Sequence, residues 1–252
     1  MWIYGINTVN TVLVKRPQGV REILIVKAKD VVKDQKDPNS KVNDLINMAE
    51  KKGIKVTFVG GYDICERTGI KEDANHQRVA ALIEPKPTLV LKDLLETHGH
   101  GKNRLFLMID SVTDPNNLGA IIRTAVAFGV EVIILPKDRS AQIKDDVYKT
   151  SGGAVEDMDF CVEINLVRSV ELLKEKGFWV YGFEEDAEKK INEADLKGNV
   201  CCIIGGEDTG IRKLLTQNCD MLLNISISKK VQSLNVSVSA GIILYEVQRQ
   251  RL

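Results

Sequence analysis

Three short stretches of this chain concentrate side chains that donate, accept or relay hydrogen bonds. They are DPNNLGAIIRTAVAFG (114–129), IIGGEDTGI (203–211) and VQSLNVSVSA (231–240). In the first, Asn117 sits where an N-cap is expected. Arg123 follows Ile121 and Ile122 and precedes an Ala/Val/Phe face, which places it near the buried side of a helix. A guanidinium there needs a partner: an acidic side chain would make it structural, a ligand phosphate functional. In the second stretch, Gly205, Gly206 and Gly210 surround Glu207 and Asp208. Glycines let backbone pass close to a ligand and expose N–H groups. The spacing is neither a dinucleotide fingerprint nor a P-loop, and two carboxylates in the loop repel phosphates. Such a turn suits a ligand bearing hydroxyls, amines or positive charge; as a plain turn, Asp208 would cap the next helix. In the third stretch, the Val/Ser alternation also fits a half-buried strand. However, Val236, Ala240, Ile243 and Val247 share one face at helical spacing, so a helix is predicted from Asn235 onward, with Ser233 and Asn235 at its cap. Capping needs one such residue per helix. Three turns of the same chemistry point to one site.

The elements that must position these turns are legible as alternating strands and helices. Residues 104–252 read as RLFLMI, VEVIIL, FWVYGF, NVCCIIG and MLLNIS strands between helical segments, one of them DTGIRKLLTQN. Apolar strands alternating with helices predict a parallel sheet covered on both faces, with ligands beyond the strands' carboxyl ends. Residues 1–84 give a second, smaller α/β pattern, and the Pro-, Gly- and His-containing stretch 85–103 reads as a linker with a short helix. The 252 residues are 44% hydrophobic, enough for a real core. Thirty-five basic residues balance thirty-five acidic ones, which argues against gripping nucleic acid by bulk charge alone. The first 84 residues are mildly basic, with 14 basic residues against 11 acidic. The five cysteines contain no C-x-x-C and cannot all pair, so they read as reduced, mostly buried thiols of a cytoplasmic protein. No apolar run approaches membrane-spanning length.

With these residues in view, the chain resembles the SpoU family, within the SPOUT superfamily of RNA methyltransferases. The three stretches look like its three motifs, and TSGGAVEDMDF (150–160) resembles a segment common in the family. IYGINTVNTVL and NHQRVAALIEP are similar to the small RNA-binding domain of the L30e type that precedes the catalytic domain; Arg78 stands where many relatives have Gly. In layout the chain is similar to the branch of ribose 2′-O-methyltransferases that act on a guanosine of large-subunit rRNA. A tRNA guanosine target, or a non-catalytic RNA-binding relative, are the alternatives.

The resemblance implies an α/β fold with a C-terminal trefoil knot and an L30e-like domain before it, S-adenosylmethionine as cofactor, RNA as partner and a homodimer. It implies that Gly205, Ile225 and Leu234 line the cofactor pocket and that Asn117, Arg123, Glu207, Ser233 and Asn235 form the catalytic group. The family account makes Arg123 the general base. A guanidinium with pKa above about 12 is almost never neutral, so a clamp on RNA phosphate that also steadies the developing oxyanion is the alternative. No metal is implied: His98 and His100 form only a lone H-x-H. His76, Lys15, Arg16, Arg21 and Arg78 are candidate RNA contacts, each with ordinary solvated charge as the competing reading.

Overall fold

A computed structural model describes residues 1–27, 39–97, 101–207, 209–228 and 230–252. Asp208, His98 and His100, with the roles expected of them, lie outside the described residues. The chain forms two compact units. One comprises Met1–Lys86 together with Ile143–Glu156, the other Pro87–Gln142 together with Asp157–Leu252.

The first unit has a four-stranded sheet in the order β1-β4-β2-β3. Its strands are β1 (Trp2–Tyr4), β2 (Val20–Val26), β3 (Lys55–Val59) and β4 (Val79–Ile83), with helices α1 (Ile6–Lys15), α2 (Asn39–Lys51) and α3 (Gly61–Thr68). β4 runs antiparallel to both neighbours, while β2 and β3 are parallel. α3 has no clear signal in the sequence, because GYDICERT buries only Ile64.

The segment 143–156, which the sequence places within the 104–252 region, packs in this first unit through a buried polar knot. Arg16 Nε and Nη2 donate to the two carboxylate oxygens of Glu156 at 2.8 and 3.1 Å, and Tyr148 Oη donates to Glu156 at 2.9 Å. The Glu156 side chain is 2% exposed. Burial and the adjacent carboxylate push the Tyr148 phenol up. Arg16 is thereby corrected from candidate RNA contact to internal ion-pair partner, because a buried Glu156 would otherwise be unmatched. In the same segment, α6 (Asp145–Thr150) carries Asp146, whose carboxylate accepts from Tyr4 Oη at 3.1 Å.

The second unit is a seven-stranded, all-parallel sheet ordered β7-β6-β5-β10-β8-β11-β9. Its strands are β5 (Leu105–Asp110), β6 (Val132–Pro136), β7 (Asp159–Glu163), β8 (Trp179–Phe183), β9 (Lys189–Lys190), β10 (Val200–Gly205) and β11 (Met221–Asn224). β5 and β6 are buried at every position, as strands covered on both faces must be. Helices α4 (Leu91–Thr97), α5 (Pro115–Ala127), α7 (Leu166–Glu175), α8 (Lys213–Thr216) and α9 (Val236–Arg251) complete it. Leu91, Leu94 and Leu95 of α4 join the core with Phe106, Ile134 and Val170. The helix expected over DTGIRKLLTQN is confined to Lys213–Thr216, because the glycine turn before it extends to Ile211. Cys201 and Cys202 are fully buried in β10, and burial pushes the Cys202 thiol up to about 12.

Candidate functional site

The first turn leaves β5 at Asp110 and enters α5. Asp114, not Asn117, is the N-cap: its side chain accepts from Asn116 N, and Pro115 occupies the first helical position. Proline pulls the start of the helix upstream, which releases Asn117 from capping. Asn117 lies on the first turn of α5 and reaches across to the other two turns.

The second turn follows β10. Gly205 has no room for a side chain: a Cβ would stand 2.0 Å from the Gly210 carbonyl carbon and 2.3 Å from Ile211 N. Gly206 is equally constrained, 2.2 Å from Ser111 O. The loop folds back on itself, with Gly210 N donating to Gly206 O at 3.0 Å. Arg212 pins it to the sheet. Its Nε lies 2.9 Å and its Nη2 2.8 Å from Asp110 Oδ1, and its backbone N–H donates to Oδ2 at 3.0 Å. Asp110 is fully buried. We expect Gly205→Ala to weaken ligand binding in the adjoining cavity at least ~10-fold, since the clash is with backbone that cannot rotate away; calorimetric titration checks it.

The third turn leads from β11 into α9. Asn235 is the N-cap of α9, its Oδ1 accepting from Ser237 N at 2.9 Å and Ser237 Oγ at 2.6 Å. Val236, Ala240, Ile243 and Val247 form the buried face, as the helical spacing predicts.

The turns converge in one hydrogen-bonded series. Asn235 Nδ2 donates to Asn117 Oδ1 at 3.0 Å, and Asn117 Nδ2 donates to Glu207 Oε1. Each amide's orientation follows from the next group. An ionised carboxylate only accepts, so Asn117 must present its NH2 to Glu207 and its oxygen to Asn235. Asn235 must then give its NH2 to Asn117, which leaves its oxygen to cap α9. Glu207 at one end and the donating Ser237 N–H at the other thus fix the orientation of both amides.

Beside this series lies a cavity of about 740 Å³, lined by Gly205, Glu207, Ile225, Ser233, Leu234 and Asn235 among others. Its size suits a nucleoside-scale ligand. Asn117 is tied to two of the lining residues without itself lining the cavity. Ser233 is exposed at the rim.

Arg123 departs from expectation. It is exposed on α5, not near its buried side. The buried stripe is Leu118, Gly119, Ile121, Ile122 and Ala125, and a step of about 100° per residue carries position 123 off that face. Among the described residues Arg123 makes no ion pair or hydrogen bond and does not line the cavity. It flanks the seam where α5 and α9 meet, at Thr124 and Gly241. The sequence reading also missed Glu184, which lines the cavity from the end of β8. The acidic run FEED at a strand end was its only signal.

The parallel sheet, the glycine turn and the amide–carboxylate series together define an α/β domain whose strand-end turns meet beside a nucleoside-sized cavity. Residues 104–245 match the SpoU rRNA Methylase family, and residues 2–89 match the RNA 2′-O ribose methyltransferase substrate binding domain. The chain belongs to the SpoU rRNA methylase family. It is 38% identical to the 23S rRNA (guanosine-2′-O-)-methyltransferase RlmB of Xylella fastidiosa, over 99% of this chain and 96% of the relative. It is 36% identical to the RlmB of Coxiella burnetii, over 99% and 95% of the two chains. In fold it is similar to the SpoU methyltransferase AviRb from Streptomyces viridochromogenes, solved in complex with AdoMet. The TM-score is 0.80 at 21% identity, covering 100% of this chain and 90% of that one.

Proposed function

We propose that this protein methylates the ribose 2′-oxygen of a guanosine in 23S rRNA, with S-adenosylmethionine as methyl donor. The observation that carries the reading is the Asn235–Asn117–Glu207 series at the rim of the cavity. The residues present fit the cofactor. The cavity has nucleoside dimensions, Gly205 brings backbone where no Cβ can stand, and the Ile225 and Leu234 side supplies apolar lining. Gly205, Ile225 and Leu234 would hold the cofactor, which when bound supplies an electrophilic methyl group on a sulfonium.

The chain's own residues have the remaining tasks. A ribose hydroxyl is a weak nucleophile, so its alignment and the stabilisation of its emerging charge decide the rate. Asn117 and Asn235, held by Glu207, orient the ribose together with Ser233. Arg123 clamps RNA phosphate and steadies the oxyanion as a permanent cation. The exposure of Arg123 supports a site completed by a second copy of the chain. Val238, Ile242 and Tyr245 form an exposed apolar stripe on α9, beside the seam with α5 that Arg123 flanks. Such a stripe marks an association surface, and we read it as the homodimer interface. Ile242→Glu is expected to yield monomers in analytical ultracentrifugation and to depress methyl transfer; a dimer of unchanged stability would remove this interface.

The first unit binds the RNA, and the second, whose polypeptide threads as a trefoil knot, carries the chemistry. No described helix is long and apolar enough to cross a membrane. The likeness to relatives named for methylating 23S rRNA supports reading the cytoplasm as the site of action. The deciding experiment is incubation with methyl-labelled S-adenosylmethionine and unmodified 23S rRNA, followed by mapping of 2′-O-methyl positions. Label on one guanosine ribose is expected. Label on a base, on tRNA alone or on no RNA overturns the assignment.

A further inference from the structure

We propose that Glu184 accepts hydrogen bonds from the vicinal diol of the cofactor's ribose, an inference that rests on reading the cavity as the S-adenosylmethionine site. Glu184 immediately follows β8, and its backbone N–H is anchored to Leu223 O at 3.0 Å. Its half-buried carboxylate lies against the glycine turn. Oε1 accepts from Ile211 N at 2.8 Å, while a side chain at position 210 would meet Oε2 at 3.1 Å. Among the described residues no cation pairs with it. Burial, together with the neighbouring Glu185 and Asp186, raises its carboxyl above the usual range, only partly offset by the Ile211 N–H. A partly buried carboxylate that only accepts, with one oxygen free of protein donors, calls for donors from a ligand.

The sheet order says which part of the ligand supplies them. Asn117 and Glu207 are borne by the turns after β5 and β10, Asn235 joins them from the turn after β11 through its bond to Asn117, and β8 lies on the opposite side of β10 from β5. At about 4.8 Å between neighbouring strands, the end of β8 stands roughly 10 Å from the end of β5. The transferable methyl must face the catalytic group. What reaches the β8 end is therefore the nucleoside, whose ribose offers two adjacent hydroxyl donors. A single free carboxylate oxygen has two lone pairs and can accept from both; in dinucleotide folds an acidic side chain likewise accepts from the ribose 2′-hydroxyl.

The test is a binding cycle that needs no turnover. Dissociation constants are measured by calorimetry for S-adenosylmethionine, 5′-methylthioadenosine and 5′-methylthio-2′,3′-dideoxyadenosine. The proteins are the wild type, Glu184→Ala and Glu184→Gln. In the wild type, removing the diol is expected to weaken binding about 10- to 100-fold, the range for a charge-assisted hydrogen bond. In Glu184→Ala the two methylthio ligands should bind equally weakly. Glu184→Gln keeps an oxygen for Ile211 N–H and should show an intermediate loss, so it carries the test if the alanine variant does not fold. If the variants lose the same factor as the wild type when the diol is removed, the hydroxyls are held elsewhere and the proposal is overturned. It is also overturned if the variants bind S-adenosylmethionine weakly but 5′-methylthioadenosine normally, since the carboxylate would then sense the sulfonium or amino-acid end. If the wild type binds neither of these two ligands, the cavity assignment itself falls, and the diol contact with it.

Discussion

Glu207→Ala is expected to lower kcat for methyl transfer by about 100-fold, while S-adenosylmethionine affinity changes far less. The size follows from loss of alignment, since displacing reacting groups by about 1 Å costs about 100-fold. Without the carboxylate, Asn117 no longer has an acceptor to decide which way its amide faces. Asn235 stays oriented, because the Ser237 backbone N–H can only donate to its oxygen, but Asn117 is then held at its oxygen alone and its amide can swing out of place. Glu207→Gln distinguishes orientation from charge. The glutamine oxygen can still accept from Asn117, so this variant is expected to keep most of the wild-type rate. Were its rate as low as that of the alanine variant, the negative charge itself would be the requirement. A wild-type rate in Glu207→Ala, with single-turnover kinetics on 23S rRNA as the measurement, would sink the catalytic reading of this cluster.

Arg212→Ala has the largest expected effect on stability. Asp110 is fully buried, and Arg212 supplies its cationic partner. Removing one member of such a pair leaves an uncompensated charge, worth about 3 kcal/mol or more. For a chain of this length that corresponds to a fall in Tm of roughly 6–12 °C. The Ser111 hydroxyl and the backbone N–H of residue 212 still donate to Asp110, which keeps the loss toward the lower end. Adding Asp110→Asn to the Arg212→Ala protein removes the orphaned charge and should recover part of the loss. Thermal denaturation of both proteins checks this; a double variant less stable than the single one would show that the charge is not the cause. The consequence reaches the site, because Asp110 stands opposite Gly205 in the β5–β10 register and Arg212 holds the turn that follows.

Strands β5, β6, β8, β10 and β11 were legible from hydrophobic periodicity, since a parallel sheet covered on both faces needs continuous apolar strands; the edge strands β7 and β9, which are exposed at some or all positions, were not. The α9 boundary was legible too: Asn235 caps it, and Val236, Ala240, Ile243 and Val247 share its buried face. The same periodicity misplaced Arg123, because neighbouring apolar residues do not say on which flank of the stripe the next side chain falls. It assigned the cap of α5 to Asn117, where Pro115 at the first helical position makes Asp114 the cap. It left Arg16 free for RNA, where Glu156, 140 residues away in sequence, holds it.

Local chemistry by itself therefore determined which turns matter and which residue types they contribute: glycines where backbone must pass closely, amides and a carboxylate where hydrogen bonds must be directed. Only the tertiary structure decided which of those groups meet. Asn117, Glu207 and Asn235 lie far apart in the chain, and a hydrogen bond depends on distances of about 3 Å that strand order and register set. The same holds for Glu184. Its carboxylate is unexceptional in sequence and becomes informative once β8 places it in the cavity, beside Ile211 and without a cationic partner among the described residues.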